Sequence, residues 1–523
     1  MSAIRVSSVT GFYARWCYAA ERPYAMKSGT SGHAIYLRFA AGAVLGVLGP
    51  LFGQSSSPPP IPPALPPLGQ VIESVVCRHD PTQTYALYLP STYTAERRWP
   101  ILYAFDPRAR GPVPTKLFRA AAERLGYIVV GSNNSRNGPW EPVVAALNAV
   151  WRDTHERLAL DPNRIYATGM SGGNGPATLL AVKHGAGIIA CAGALTAEQV
   201  ASVDGRLAWI SVAGDADFSF DVNQKLVETL VARGVSARLA GFAGGHSWPP
   251  EDIAAGALEF LHLSAMRTGW LPRDAAFIEH YTEQGLARAH ELAARGVADD
   301  AAEEYAALAR ELKSLAPVEA FATEAKRLHD TPEARQNRQR EQARAVKYER
   351  ETQELFELRQ LLERSGPFAK MRIPELADPI GDEDTSPGDE TTVGSELDRR
   401  LDELVRDSKS QDADVRIVAQ RVREVFYMET YYAALDRRDQ GRSDSALALL
   451  ELCARMNPNN AGTAYELART HAVRGDKQKA LAELQKAKAL GFADLARLAT
   501  EPEWATVRAE PKFREIVDAG HTP

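Results

Sequence analysis

The chain has 523 residues, more than one ordinary domain of about 100 to 200 residues needs, so two or three folded units are expected. Hydrophobic residues make up 45% and charged residues 24%, values that exclude a collagen-like, wholly disordered or many-spanning membrane chain. With 61 Lys and Arg against 67 Asp and Glu the net charge is −6, so no overall positive field exists to hold a nucleic-acid backbone, and nucleic acid is not expected as a partner.

Lys27 and Arg38 precede an apolar run at 39–52 (FAAGAVLGVLGPLF), too short for a transmembrane helix of about 20 residues and suited to the core of a signal peptide. Met26 is a natural start for such a signal, which sets 1–25 apart as an upstream extension. The expectation is export, to the periplasm or outside the cell. No Ala-x-Ala follows the run, so an uncleaved membrane anchor is kept as the alternative. Residues 1–54 are therefore set aside as extension and signal, and 55–69 (SSSPPPIPPALPPLG with its flanks) as a semi-extended proline-rich spacer.

From 70 to 266, short β-rich runs alternate with amphipathic stretches. The runs are VIESVVC, YALYLP (85–90), PILYAF (100–105), YIVVGS (127–132), RIYATGM (164–170), GIIACAG (187–193), AWISVAG (208–214) and ARLAGF (237–242). The helical stretches between them fall at 115–125, 143–158, 175–183 and 222–233. This alternation predicts an α/β domain, a doubly wound and mostly parallel sheet with helices on both faces, whose ligands sit at the strand C-terminal ends.

The sharpest local signal is Gly169-Met170-Ser171-Gly172-Gly173, between a strand and a helical stretch. A serine on so tight a turn takes a strained backbone conformation, so the residues two before and two after must be small. Gly169 and Gly173 meet that need, and the Gly172 amide stands at a helix N-terminus where an oxyanion would form. A serine hydroxyl needs a histidine base oriented by a carboxylate. Asp217 follows the AWISVAG strand and is the preferred acid, with Asp215 and Asp221 left open; Asp221 also suits a plain helix cap. His246, in Gly244-Gly245-His246-Ser247-Trp248, occupies the loop after the next strand and is the candidate base, whereas His155, His184 and His262 fall in helical stretches and carry no role. The second oxyanion amide is sought in the loop 106–111, at Arg108. Arg136 and Asn134, from the loop Asn133-Asn134-Ser135-Arg136-Asn137-Gly138, and Trp248 are the candidate substrate contacts. The short spacings from Ser171 to Asp217 to His246 leave no room for an inserted lid and predict an open site.

These segments, with YALYLPSTY, WPILYAFDPRARG, GSNNSRNGP, DPNRIYATGMSGG, GDADF and GGHSWPP, resemble the α/β-hydrolase superfamily, and within it the poly(3-hydroxybutyrate)-depolymerase-like and dienelactone-hydrolase-like esterases. The resemblance covers about 180 residues. It implies Ser171 as nucleophile, Asp217 as acid and His246 as base, acting on carboxylic esters; the sequence holds no HExxH, phosphate loop or dinucleotide fingerprint in a suitable context, so no metal or organic cofactor is expected. One departure is Asn174-Gly175 where relatives often carry Ala-Arg, which leaves the elbow intact and substrate preference unspecified. A peptidase on the same triad, and a non-catalytic envelope scaffold, are the alternative readings.

Beyond 266 helical patterns take over. Tyr427 aligns with Ala461 at an offset of 34, and Ala434, Gly441, Ala446, Leu450 and Cys453 then match Ala468, Gly475, Ala480, Leu484 and Ala487. That is the tetratricopeptide period, with small residues where antiparallel helices approach. A weaker unit surrounds Ala289, Gly296 and Ala301, and 491–517 resembles a closing cap. So few repeats are expected to dock on the hydrolase domain or on a protein partner. Residues 267–376 are assigned as a helical region containing a charged, solvated helix at 333–363, residues 377–395 as a disordered acidic linker, and 396–523 as the repeats. Cys17, Cys77, Cys191 and Cys453 form no CxxC pair; pairing of Cys77 with Cys191 is left open, and a buried thiol is favoured at Cys191.

Overall fold

The computed structural model describes residues 67–518 except 194, 196, 365–386, 493–497 and 499. The extension, the signal-like run, Cys17 and nearly all of the proline-rich spacer lie outside the described residues. Among the described residues, no helix is long and apolar enough to cross a membrane.

The first unit is an eight-stranded sheet: β1 (Val71–Val76), β2 (Thr84–Tyr88), β3 (Trp99–Phe105), β4 (Ile128–Ser132), β5 (Leu160–Met170), β6 (Gly187–Cys191), β7 (Ala208–Gly214) and β8 (Ser236–Phe242), in the order β1-β2-β4-β3-β5-β6-β7-β8. β1 and β2 pair antiparallel with their neighbours, and all other pairings are parallel. Every residue of β3 and of β7 is buried, as an unbroken apolar run covered on both faces requires, whereas β1 alternates with exposed positions at the edge.

The pleat sends alternate residues to opposite layers. Ile101, Tyr103 and Phe105 join the core beneath α2 (Trp140–Arg157), α3 (Asn174–His184) and α5 (Phe220–Ala232). Leu102 joins the other core, beneath α1 (Pro112–Leu125) and α6 (Glu251–Arg267). The doubly wound, mostly parallel sheet expected from the sequence is present, with boundaries within a few residues; a short α4 (Ala197–Ser202) was not foreseen. Cys77 and Cys191 are both buried free thiols, and burial pushes Cys191 up to about 12.

The helices that follow are α7 (Ala275–Ala294), α8 (Ala298–Glu311), α9 (Glu319–His329), α10 (Pro332–Arg364), α11 (Pro387–Asp407), α12 (Ala413–Asp439), α13 (Ser443–Met456), α14 (Ala461–Arg474), α15 (Lys477–Ala489) and α16 (Pro511–Asp518). Positions matched at the 34-residue offset share one environment: Ala434 and Ala468, Ala446 and Ala480, Leu450 and Leu484, and Cys453 and Ala487 are all fully buried. Gly296, Gly441 and Gly475 each end a helix with φ of +77°, +78° and +87°, a backbone turn that glycine enters without steric cost.

The helical region docks on the sheet. Arg238 of β8 ion-pairs with Glu304 and Glu311 of α8, and Glu311 also accepts the Tyr281 hydroxyl of α7. Two expectations need correction. The acidic linker expected at 377–395 is in part helix, since α11 starts at Pro387 and buries Leu397, Leu401 and Leu404 at helical spacing; residues 377–386 lie outside the described residues. The charged run 333–363 is one long helix as expected, yet not solvated all round: Tyr348, Leu355 and Phe356 of α10 are buried against α12 and against Phe218 of the sheet domain.

Candidate active site

Ser171 directly follows β5 and opens a single 3-10 turn, Ser171–Gly173, that runs into α3. Its φ is +53°, the left-handed strain that a nucleophile elbow requires of a non-glycine residue. The glycines around it are sterically obligatory. A Cβ on Gly169 would lie 2.1 Å from the Gly173 carbonyl oxygen, and one on Gly173 would lie 2.0 Å from the Phe105 carbonyl oxygen. Asn174, buried beneath the turn, donates its side-chain amide to the carbonyls of Ser171 (3.0 Å) and Cys191 (2.8 Å), tying the elbow to the end of β6. This is a structural task for the residue that departs from the family pattern.

Asp217 and His246 follow β7 and β8, so all three candidate catalytic residues stand at strand C-terminal ends. The two loops are zipped together. Asp215 N–H donates to Phe242 (2.8 Å), Ala216 N–H to Gly244 (2.9 Å), and Gly244 N–H to Asp215 Oδ1 (3.0 Å). His246 Nδ1 then lies 3.1 Å from both carboxylate oxygens of Asp217, which is fully buried. The other two candidate aspartates are engaged elsewhere: Asp215 holds the Gly244 amide, and Asp221 is ion-paired with Arg421 at 2.8 Å. Burial alone would lower the His246 pKa; the Asp217 carboxylate, helped by Glu424, outweighs it and holds the imidazole above its ordinary value. Phe218 stacks on the ring with centroids 4.6 Å apart.

The loop after β3 departs from expectation. Arg108 was the expected second oxyanion donor, but its backbone N–H donates to Asp106 Oδ1 at 2.8 Å and is spent in a tight Asx turn. Asp106 is fully buried and also receives the Arg110 guanidinium and, at 2.9 Å, the Trp248 indole N–H. Trp248 thus braces this loop with its polar atom. Asn134 does not face a substrate either: its amide oxygen accepts from Thr84 N–H (2.8 Å) and its nitrogen donates to the Thr82 carbonyl (3.1 Å), which pins the start of β2. Arg136 is exposed and bridges backbone to backbone with Arg108 at the rim. The residue of that loop which does reach the elbow is Asn137, missed by the sequence reading. Its Oδ1 occupies the place of a Gly172 Cβ, its N–H donates to Pro107 (2.9 Å), and its Nδ2 donates to the Tyr432 hydroxyl (3.1 Å).

The site is not open. Ser171 is 8% exposed, and α12, far along the chain, packs on the loops beside it. On one face of that helix Arg421 donates to the Asp215 carbonyl (2.8 Å), Glu424 accepts the His246 backbone N–H (3.0 Å), and Tyr432 meets Asn137. Burial, then repulsion from Asp217, pushes the Glu424 carboxyl up to about 7.

No protein-family model matches the chain, and no curated protein sequence matches it. Among solved structures it is similar to a ferulic acid esterase, at 18% identity over 36% of this chain and 95% of that chain with TM-score 0.30. It is similar to a thermophilic esterase of Thermogutta terrifontis with butyrate bound (16%, 37% and 92%, TM-score 0.30) and to an S-formylglutathione hydrolase of Staphylococcus aureus (14%, 38% and 98%, TM-score 0.31). At these TM-scores the likenesses carry no weight, and what the chain can do rests on its own strand order and side-chain geometry.

Proposed function

We propose that the chain is a serine hydrolase of the α/β-hydrolase class that cleaves carboxylic esters through an acyl-enzyme. One observation carries this reading: a buried Asp217–His246 pair, with both carboxylate oxygens 3.1 Å from Nδ1, at the same strand edge as a serine held at φ +53°. Nδ1–H donating to Asp217 leaves Nε2 as the basic nitrogen. Ser171 Oγ attacks the carbonyl carbon as His246 takes its proton, and the Gly172 amide faces the oxygen that gains charge. Collapse expels the alcohol, which receives the proton from His246. Water, deprotonated by the same imidazole, then releases the acid and restores Ser171.

The helices α12 to α15 are read as tetratricopeptide-like repeats, supported by the matched burial at the 34-residue offset. The docking of α12 on the sheet domain supports a role within the enzyme, with a protein partner as a further role for faces turned away from it. Export rests on the apolar run after Lys27 and Arg38. The test is hydrolysis of p-nitrophenyl esters from acetyl to dodecanoyl by the full chain, with fluorophosphonate labelling, beside Ser171→Ala. Turnover and labelling that both vanish in Ser171→Ala are expected; a folded wild type showing neither refutes the proposal.

A further inference from the structure

The three proposed catalytic groups belong to the sheet domain, which leaves the contacts of α12 to be explained. The base loop contains Gly244 and Gly245 and no regular secondary structure, so its conformation must be held by contacts from outside. Two of its amides are held by carboxylates: Gly244 N–H by Asp215 Oδ1, and His246 N–H by Glu424 Oε1 at 3.0 Å, across 178 residues of sequence. Gly245 is part of the fit, because a Cβ there would come within 3.1 Å of Glu424 Oε1. One helical turn earlier, Arg421 is 2% exposed and grips both the Asp215 carbonyl and the Asp221 carboxylate. Helix α12 therefore holds the acid loop with one residue and the base loop with another.

We propose that Glu424 is a positioning residue for His246, fixing the base loop against Asp217 through its backbone hydrogen bond and placing a second carboxylate beside the imidazole. The proposal rests on the triad reading above. Its electrostatic half follows from the neighbours. Asp217 and Asp215 face this region from the loop after β7, Asp221 from α5, Arg421 and Arg423 from α12 itself, and Arg344 from α10. Arg421 is neutralised by Asp221, so the negative charge of Asp217 dominates at His246, joined by that of Glu424 where its carboxyl is ionised, and both favour the protonated imidazole. The imidazolium formed when Ser171 loses its proton is then stabilised in place by charges that need not reorganise. The other Glu424 oxygen, Oε2, is buried without a hydrogen bond among the described residues, which fits a group kept for its charge and for one contact and not for local stability.

The test uses the full chain as wild type, Glu424→Gln and Glu424→Ala. The rate of fluorophosphonate labelling at Ser171 is followed against pH, because it needs no knowledge of the natural ester. Glutamine keeps the acceptor and loses the charge: the plateau rate should largely recover while the acid limb moves to lower pH, since His246 then loses its proton more easily. Alanine loses both, and labelling should fall about tenfold to a hundredfold at every pH, as expected for one lost hydrogen bond to a charged group. Equal falls in both variants with an unmoved acid limb, or no change in either, overturn the proposal. An unlabelled wild type defeats the triad reading instead. In that case the His246 imidazole titration, followed by NMR in wild type and Glu424→Gln, still decides the point, because identical titrations leave Glu424 with no hold on the base.

Discussion

Glu424 also makes a prediction that is independent of catalysis. In the unfolded chain its carboxyl titrates near the ordinary 4.5, and in the fold near 7, because burial and the adjacent Asp217 disfavour the ion. An acid whose pKa is raised by folding contributes its full stability below the unfolded value and loses it as pH climbs through the folded value. At about 1.4 kcal/mol for each pKa unit, the native state should forfeit about 3 kcal/mol between pH 4.5 and 7.5 from this residue. That is a sizeable part of the roughly 5 to 15 kcal/mol that holds a typical domain together. Glu424→Gln removes the titration and keeps the acceptor for His246. Any cost of burying the carboxamide does not depend on pH and cancels when two pH values are compared. His246 adds a slope of the same sign, since its raised pKa gives stability at low pH that is lost on deprotonation; Asp217 still supports that slope in the variant. Urea unfolding of both proteins at pH 4.5, 6 and 8 should show the variant gaining about 3 kcal/mol on wild type across the series. A difference that stays constant with pH would mean that Glu424 is solvated and titrates normally, and the packing of α12 on the base loop would be refuted.

Two further changes probe the docking of the helices and the tightness of the elbow. Arg238→Met leaves Glu311 buried without its cation, while Glu304 keeps Arg288, and should cost about 3 kcal/mol in urea unfolding at pH 7; a loss below about 1 kcal/mol would falsify the buried pairing of β8 with α8. Gly173→Ala sets a methyl 2.0 Å from a backbone carbonyl of β3 that cannot yield, so Ser171 labelling should be lost, and retained labelling would show a looser elbow.

The sheet and the elbow could be read from the sequence because both rest on local chemistry. Fully buried parallel strands demand unbroken apolar runs, and the elbow demands small residues two before and two after Ser171. The acid was less accessible: three aspartates within seven residues are equivalent until their partners are known, and only the Gly244 amide and Arg421 show that two of them are engaged. The Arg108 assignment failed on a feature that the sequence did display. Asp106 two residues earlier invites an Asx turn, and such a turn uses the amide that the oxyanion hole would need. Helix α11 was expected only from 396 on, where Leu397, Leu401 and Leu404 stand at helical spacing; the acidic composition of 387–395 masked its first turns. The pairing of His246 with Glu424 left no trace at all, because a contact across 178 residues between unrelated local patterns has no periodicity to announce it.

The expectation of an open site failed for a related reason. Short intervals between Ser171, Asp217 and His246 do exclude a lid inserted within the sheet domain, but exposure is decided by everything that packs there. Phe218, next to the candidate acid, is buried in one cluster with Tyr348, Leu355 and Phe356 of α10 and with Val422 and Phe426 of α12. The ring that stacks on His246 is therefore itself held by the helical region. Cutting the chain after α6 would not leave the candidate site intact: it would bare Phe218, release the Asp215 carbonyl from Arg421 and free the His246 amide from Glu424. The alanines at the 34-residue offset are buried where α12 to α15 pack on one another, and α12 is the helix that carries Arg421 and Glu424. These helices thus belong to the surroundings of the candidate active site, and a substitution at Ala434 or Ala446 should register in the reactivity of Ser171 as well as in stability.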